Sequence, residues 1–229
     1  ALEDSNGFVR LAAVEAAAHV AVRGDARLVG QLARRLEHPS PETRRAAVDA
    51  LGKATEPGDA IAVEAAVALF GSPSTEVRHA ALQALGRVAE RGREHGICAV
   101  AARLEDPDPE VRLAAVRGLR HVAEKGDAAC VASVCMRLEH ERIEVRQAAV
   151  RGVAAVAESG DEGLVSQILA RVAHADAGVR ASALDALRRA APRGDARAVR
   201  ATAALLTRDE GHAREAALSA LALVAEPGD

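Results

Sequence analysis

Three cysteines are the residues best suited to nucleophilic, redox or metal-binding chemistry in this sequence. They are Cys98, Cys130 and Cys135, an odd number without a regular framework of spacings. Cys130 and Cys135 are five residues apart, and side chains five apart on a helix point in different directions. We therefore expect small buried side chains in a reducing intracellular compartment, with a zinc or redox site as the alternative.

Other chemistry needs combinations of residues that the sequence does not bring together. The sole His-Glu dipeptide is His140-Glu141. There is no Gly-rich phosphate loop, no spacing typical of metal ligands and no pairing of a nucleophile with a base. We therefore predict no catalytic, cofactor-binding or metal-binding residue, and a protein that is not an enzyme.

The chain repeats itself every 34 residues, and two columns of the repeat keep one residue type in all seven copies. The Arg column consists of Arg10, Arg44, Arg78, Arg112, Arg146, Arg180 and Arg214. The Gly column consists of Gly24, Gly58, Gly92, Gly126, Gly160, Gly194 and Gly228. A fixed period of this size is the signature of a solenoid, in which each repeat packs against its neighbours.

Within each repeat the pattern predicts a hairpin of two helices, A and B. Ser40 can cap helix A, and apolar side chains then recur at helical spacing from Ala47 to Leu51. Gly58 can end helix A in the left-handed conformation, and Asp59 can cap helix B. The column of Ala47 is Ala in every copy, which is typical of a place where another backbone comes close.

We expect one array over residues 1–229, with about six full 34-residue repeats and partial repeats at both ends. Because neither end resembles a polar capping repeat, we interpret the chain as a part of a longer array.

The amino-acid composition and net charge exclude some classes of binding partner. The apolar residues are mainly Ala, Val and Leu, since the chain has no Trp or Tyr and only Phe8 and Phe70. A formal net charge of −3 differs from the basic footprint of a nucleic-acid binder. No apolar run reaches the length of about 18 to 20 residues that a membrane-spanning helix needs. We expect protein partners within a larger assembly, and no nucleic acid, membrane insertion or metal.

The run Pro-Glu-Val-Arg-Leu-Ala-Ala-Val-x-x-Leu at residues 109–119, followed by Gly126-Asp127, resembles the short HEAT-like repeats of the phycobilin-lyase type. Tetratricopeptide repeats are excluded because they need Trp and Tyr. The resemblance implies an all-α, right-handed α-solenoid of tandem hairpins. It also implies that the Arg column and an Asp column form a polar ladder between neighbouring repeats. The Asp column consists of Asp25, Asp59, Asp127, Asp161 and Asp195.

Three HEAT-like families are enzymes or bind reactive ligands, and each needs particular residues that can be looked for in this sequence. Deoxyhypusine hydroxylase needs repeated His-Glu pairs in helix A, whereas the matching step here is Arg78-His79-Ala80. The HEAT-like DNA glycosylases use aromatic residues that this chain lacks. A phycobilin-lyase-type module, which would hold a tetrapyrrole or its carrier protein, stays as the alternative function.

The main functional prediction concerns the face of helix B opposite its core stripe. A water-facing helix surface normally carries charged residues, but the central repeats place mostly small uncharged residues there. We predict a protein–protein interaction scaffold or adaptor whose partner lies along this concave face, centred on Ala102 and Met136. The other predicted contact residues are Ala68, His95, Ala99, Ser133, Gln167 and Ala170, with Arg27 and Arg34 at the rim. The alternative is an ordinary surface, since Ala is a good helix former.

A second surface lies on helix A of the central repeats. It carries the basic residues Arg87, Arg117, Arg120, His121 and Arg151. This surface could meet an acidic partner, or it could be an ordinary solvated face whose charges are compensated by Glu90 and Glu124.

Overall fold

The computed structural model describes residues 4, 6–20, 23–158, 160–207 and 209–226, with the backbone alone at residues 10, 11, 15 and 18–20. These residues form α helices joined by turns and short 3-10 segments, and no strand occurs among them. The helices are α1 (Gly7–Val20), α2 (Ala26–Arg35), α3 (Pro41–Ala54), α4 (Ala60–Ala68), α5 (Thr75–Val88), α6 (Glu94–Ala102), α7 (Pro109–Val122), α8 (Ala128–Met136), α9 (Ile143–Val156), α10 (Glu162–Val172), α11 (Ala177–Ala190), α12 (Ala196–Ala203) and α13 (Gly211–Val224). The prediction of an all-α repeat solenoid is confirmed.

The helices alternate between two kinds, as the repeat predicts. The odd-numbered helices, α1 to α13, are A helices of 14 residues each. The even-numbered helices are B helices of 8 to 11 residues. Both kinds begin at positions one repeat apart along the chain. The period in the sequence is therefore the period of the helical hairpins.

The chain divides into two compact units. The N-terminal unit contains Ala1–Arg103 and Leu113–Val122, and the C-terminal unit contains Leu104–Arg112 and Ala123–Asp229. The expectation of one continuous array over residues 1–229 stays a prediction.

The core is built from the apolar stripes of both kinds of helix. The invariant Ala column is fully buried from the second copy to the seventh, at Ala47, Ala81, Ala115, Ala149, Ala183 and Ala217. Successive A helices such as α3 and α5 pack directly against each other. Because a methyl group is the largest side chain in this column, the neighbouring helices can approach closely at these points.

The Gly column joins one repeat to the next. Gly58 has a φ of 80°, which an L side chain rarely adopts. Its N–H donates to the carbonyl oxygen of Val88 at the end of the next A helix, at 2.7 Å. The same hydrogen bond links Gly24 to Ala54, Gly92 to Val122, Gly126 to Val156 and Gly194 to Val224. The expectation that this Gly ends helix A is wrong, because α3 ends at Ala54 and Thr55 caps it in an extended conformation. Gly58 instead turns the chain toward helix B and satisfies a terminal carbonyl of the next A helix.

The Arg column and the Asp column make their hydrogen bonds in different parts of the hairpin. They therefore do not form the single polar ladder that the resemblance implied. The guanidinium of Arg112 donates to the carbonyl oxygens of Asp106 and Pro107, at 2.7 and 2.8 Å, in the turn before its own helix. Arg44, Arg78, Arg146, Arg180 and Arg214 bind the equivalent turns in the same way, and the side chain of Arg10 lies outside the described residues. The Arg column therefore fastens the connection between consecutive hairpins.

The Asp column caps the B helices. The carboxylate of Asp127 accepts the N–H of Cys130 at 2.9 Å. Asp25, Asp59, Asp161 and Asp195 accept equivalent N–H groups at the starts of their helices. This satisfies donors that a helix N-terminus leaves without an internal partner. The expected capping role is confirmed, and it explains why the column holds Asp.

Candidate partner-binding face

The exposed side of the B helices begins, in the N-terminal unit, with charged residues and continues mostly with apolar or small ones. On α2, both Arg27 and Arg34 are exposed. On α4, Ala68 is exposed, and 47% of the surface of Ile61 is accessible. On α6, His95 and Ala102 are exposed and Ala99 is half-buried. All the predicted contact residues of this unit thus lie on the solvent side of their helices.

The B helices of the C-terminal unit carry the same kind of surface. On α8, 64% of the surface of Met136 is accessible and Ser133 is half-buried. On α10, Ala170 is exposed and Gln167 is half-buried. A free helix surface of this composition is unusual, because exposed helical positions normally carry charged or strongly polar residues.

Sequence reasoning missed one column of this face. Glu64, Cys98, Ala132 and Ser166 are all exposed and stand three residues after the column of Ile61. The expectation that Cys98 is buried is therefore wrong. In the N-terminal unit the face is also less neutral than predicted, because Nε2 of His95 lies 3.4 Å from a carboxylate oxygen of Glu64. The offset of three along a helix was the signal for this column.

The other two cysteines are buried as expected. Both Cys130 and Cys135 lie on the core side of α8 and are fully enclosed. Burial raises the pKa of the Cys130 thiol to about 12 and that of Cys135 to about 11. Both thiols are therefore protonated at neutral pH, which makes them poor nucleophiles.

Two of the predicted contact residues also anchor a polar bridge from their own helix to a Glu side chain in the turn about one repeat earlier. Nη1 of Arg137 donates to the backbone oxygen of Ser133 at 2.7 Å, and Nη2 lies 3.0 Å from a carboxylate oxygen of Glu105. One repeat later, Arg171 donates to the backbone oxygen of Gln167 at 2.8 Å and pairs with Glu139 at 3.0 Å. Both guanidinium groups are largely buried, with 13% of each side chain exposed.

The next pair of B helices in the C-terminal unit, α10 and α12, lacks this bridge. We call each such pair a step. The positions equivalent to Glu139 and Arg171 are Ala173 and Leu205. The core positions of α12 are also smaller, since Ala198 and Ala203 stand where α10 has Leu164 and Leu169. The result is an open groove of about 810 Å³ between α10 and α12.

The walls of this α10–α12 groove are mostly apolar. Val165, Leu169 and Ala170 line it from α10, and Ala198, Ala201 and Leu205 line it from α12 and the turn that follows. Of the predicted contact residues, Ala170 alone lines the groove. The loss of large side chains along α12 was the signal in the sequence that could have located it.

The basic surface of the A helices is partly compensated. Nη2 of Arg87 lies 3.1 Å from a carboxylate oxygen of Asp49. Glu90, which was expected to compensate this surface, instead pairs with Arg93 at the start of α6, at 2.7 Å. His121 is half-buried against Gly86, and burial, followed by the charge of Arg91, lowers its pKa. The imidazole is therefore neutral at neutral pH. Arg117, Arg120 and Arg151 are exposed.

The residues that could hold a metal are not assembled into a site. Within the described ranges, no three His, Cys, Asp or Glu side chains come together as metal ligands. His140 instead uses Nδ1 to accept the N–H of Arg142 at 3.1 Å, in the turn between α8 and α9. None of the described helices is both long and apolar enough to cross a bilayer.

Comparison with known proteins gives the family. Residues 1–86 and 63–135 match HEAT repeats, and together these stretches cover more than half of the chain. No curated protein sequence matches the chain significantly.

Several solved structures are similar in their repeats. Human deoxyhypusine hydroxylase, in complex with glycerol, is 18% identical with a TM-score of 0.39, over 97% of this chain and 81% of that one. An archaeal HEAT-like repeats protein from Thermococcus onnurineus NA1 is 16% identical with a TM-score of 0.38, over 97% and 98%. A designed armadillo repeat protein in complex with the peptide (KR)4 is 18% identical with a TM-score of 0.36, over 86% and 99%.

The HEAT-like assignment made from the repeated Pro-Glu-Val-Arg run is thus confirmed, while the phycobilin-lyase type stays a prediction. The invariant Arg, Gly and Ala columns, the alternating A and B helices and the sequence match agree. The chain belongs to the family of HEAT repeat proteins.

Proposed function

We propose that the chain is a non-enzymatic scaffold or adaptor that binds a protein partner along the exposed faces of its B helices. HEAT repeats form a fold that is typical of protein-binding scaffolds. The observation that carries the proposal is the exposure of apolar side chains on B helices of both units, above all Ile61 on α4 and Met136 on α8. Such side chains gain free energy when a partner removes them from water.

The small residues of the same faces support a docking role. Ala102 in the N-terminal unit and Ala170 in the C-terminal unit are exposed and present only a methyl group. A partner helix or extended segment can therefore approach the backbone closely at these positions. Met136 adds a flexible side chain that can adapt to an irregular apolar surface.

The charges at the start of the N-terminal unit favour one orientation of the partner. Arg27 and Arg34 are both exposed on α2. Exposed charges of this kind contribute more to the rate and orientation of association than to its affinity. We expect the partner to place an acidic end near α2.

The test introduces bulky charge at one position of each unit. Tagged protein carrying Ala102→Glu and Met136→Lys is purified from its native host beside the wild-type protein. The double variant should lose the co-purifying partner and keep its helicity by circular dichroism, because both positions are exposed. The control carries Arg117→Glu and Arg151→Glu, on the A helices, and should keep the partner.

The opposite pattern would contradict the proposal. A partner that stays with the Ala102→Glu and Met136→Lys protein, but is lost from the control, would place binding on the A helices.

A further inference from the structure

The groove between α10 and α12 has the size and lining of a ligand site. Its volume of about 810 Å³ falls in the range of about 300–1,000 Å³ that is typical of such sites. The lining side chains from the core are Val165, Leu169 and Leu205, and small and charged residues form the rim. An occupant must therefore bring apolar side chains of its own to exclude water from the groove.

The charges at the groove determine what else the occupant should carry. Arg197 is paired with Glu162, at 2.9 Å between Nη1 and Oε1. The carboxylate of Asp195 accepts the N–H groups of Arg197 and Ala198, so it is engaged as the cap of α12. Arg200 is exposed, and within the described part of the chain it has no ion-pair partner. Arg200 is therefore the lining arginine whose guanidinium is open to a carboxylate of the occupant, while the Asp195 carboxylate is held at the start of α12.

We propose that this groove binds a short protein segment that places apolar side chains between α10 and α12 and a carboxylate beside Arg200. This inference rests on the proposed function and names the chemistry of the partner for one part of the B-helix surface. Apolar contact supplies the affinity, and the guanidinium of Arg200 selects a segment with a carboxylate at that position over one with a neutral or basic side chain.

The experiment uses fluorescein-labelled heptapeptides whose central residue is Glu, Gln or Lys and whose flanking positions combine Ala, Val and Leu. Binding to the full chain is measured by fluorescence anisotropy. The best Glu peptides should bind about fivefold more tightly than their Gln counterparts, which is the size of one exposed ion pair. The Lys counterparts should bind more weakly still.

Two variants test the groove itself. Ala201→Trp places a bulky side chain in the groove and should abolish peptide binding, while circular dichroism shows unchanged helicity. Arg200→Glu should reverse the preference, so that Lys peptides bind more tightly than Glu peptides. The matched control is Arg151→Glu, which reverses an exposed arginine on α9 and should leave the Glu preference intact.

The outcomes separate this inference from the proposed function. Equal binding of Glu and Lys peptides, or no selective binding of any acidic peptide, overturns the inference. Unchanged binding in Ala201→Trp together with its loss in Met136→Lys also overturns it, but leaves binding to the B helices standing. Loss of binding in Arg151→Glu alone would overturn both.

Discussion

Two successive pairs of B helices in the C-terminal unit, α8 with α10 and α10 with α12, have the same repeat but differ in how tightly they pack. Between α8 and α10, Arg171 folds back onto its own helix and pairs with Glu139, and large side chains such as Leu164 and Ile168 fill the core. Between α10 and α12 the bridge is absent and α12 supplies Ala198 and Ala203 instead. The repeat thus fixes where the helices lie, while the side chains along each B helix decide whether a step is closed or open.

The largest expected effect comes from changing the size of a core side chain in each of the two steps. Leu164→Ala should lower the free energy of unfolding by about 2–5 kcal/mol, because Leu164 is fully buried in the closed step. The reverse change at the equivalent α12 position, Ala198→Leu, should stay within about 1 kcal/mol of the wild type. The open groove provides the volume that a closed core would lack.

Urea denaturation of both variants measures these changes. A loss of about 1–3 kcal/mol in Ala198→Leu, the usual cost of overpacking a closed core, would contradict the difference between the steps.

Removal of the bridge should have the next largest effect. In Arg171→Ala, the carboxylate of Glu139 and the carbonyl oxygen of Gln167 lose a largely buried partner. We expect the free energy of unfolding to fall by about 1–3 kcal/mol. Arg151→Ala serves as the control and should change it by less than about 0.5 kcal/mol, because Arg151 is exposed. Equal values for the two variants in thermal or urea denaturation would argue against a structural bridge.

The role of the Gly column can be tested at Gly194, in the turn before α12. Gly194 has a φ of 76° and an added Cβ would lie 3.0 Å from the side chain of Glu226. Gly194→Ala should therefore cost about 1–2 kcal/mol of stability. Gly211→Ala is the matched control at the first residue of α13, where an added Cβ meets nothing within 4 Å. Its unfolding midpoint in urea should be close to that of the wild type, and a shared midpoint for both variants would refute the role of the column.

The smallest effect concerns thiol labelling at pH 8. Cys135 in α8 is buried with a raised pKa, whereas the equivalent α12 residue, Ala203, is half-buried. In a Cys98→Ser protein, a maleimide should label Ala203→Cys several times faster than either native buried thiol, as followed by mass spectrometry. Similar rates would mean that α12 is packed as tightly as α8.

Much of the fold could be predicted from the sequence because its signals are local. The caps at Ser40 and Asp59 and the left-handed turn at Gly58 depend on residues within one hairpin. The hydrogen bond from Gly58 to Val88 could not be predicted in the same way. It joins groups 30 residues apart, and a backbone donor leaves no trace in the residue type.

The candidate face was predicted in part. Ala68, Ala102 and Met136 lie on the solvent side because helical periodicity defines the side opposite the core stripe. Cys98 was assigned to the core from its residue type, although its column neighbours Glu64 and Ser166 indicate a solvent position. The bridge of Arg171 depends on how a long side chain folds between repeats, which the spacing of residues does not specify. The groove beside α12 did leave a signal in the sequence, namely Ala198 and Ala203 at positions where α10 has Leu.

The central claim, that a partner covers the B-helix faces, is tested most directly by the labelling rate of a thiol at Met136. In the Cys98→Ser protein, Met136→Cys and Arg151→Cys are each labelled with a maleimide, with and without the partner recovered by co-purification. We predict that the partner slows labelling at position 136 at least tenfold, since that side chain becomes buried, and leaves position 151 unchanged. Full labelling at 136 with protection at 151 would contradict the account.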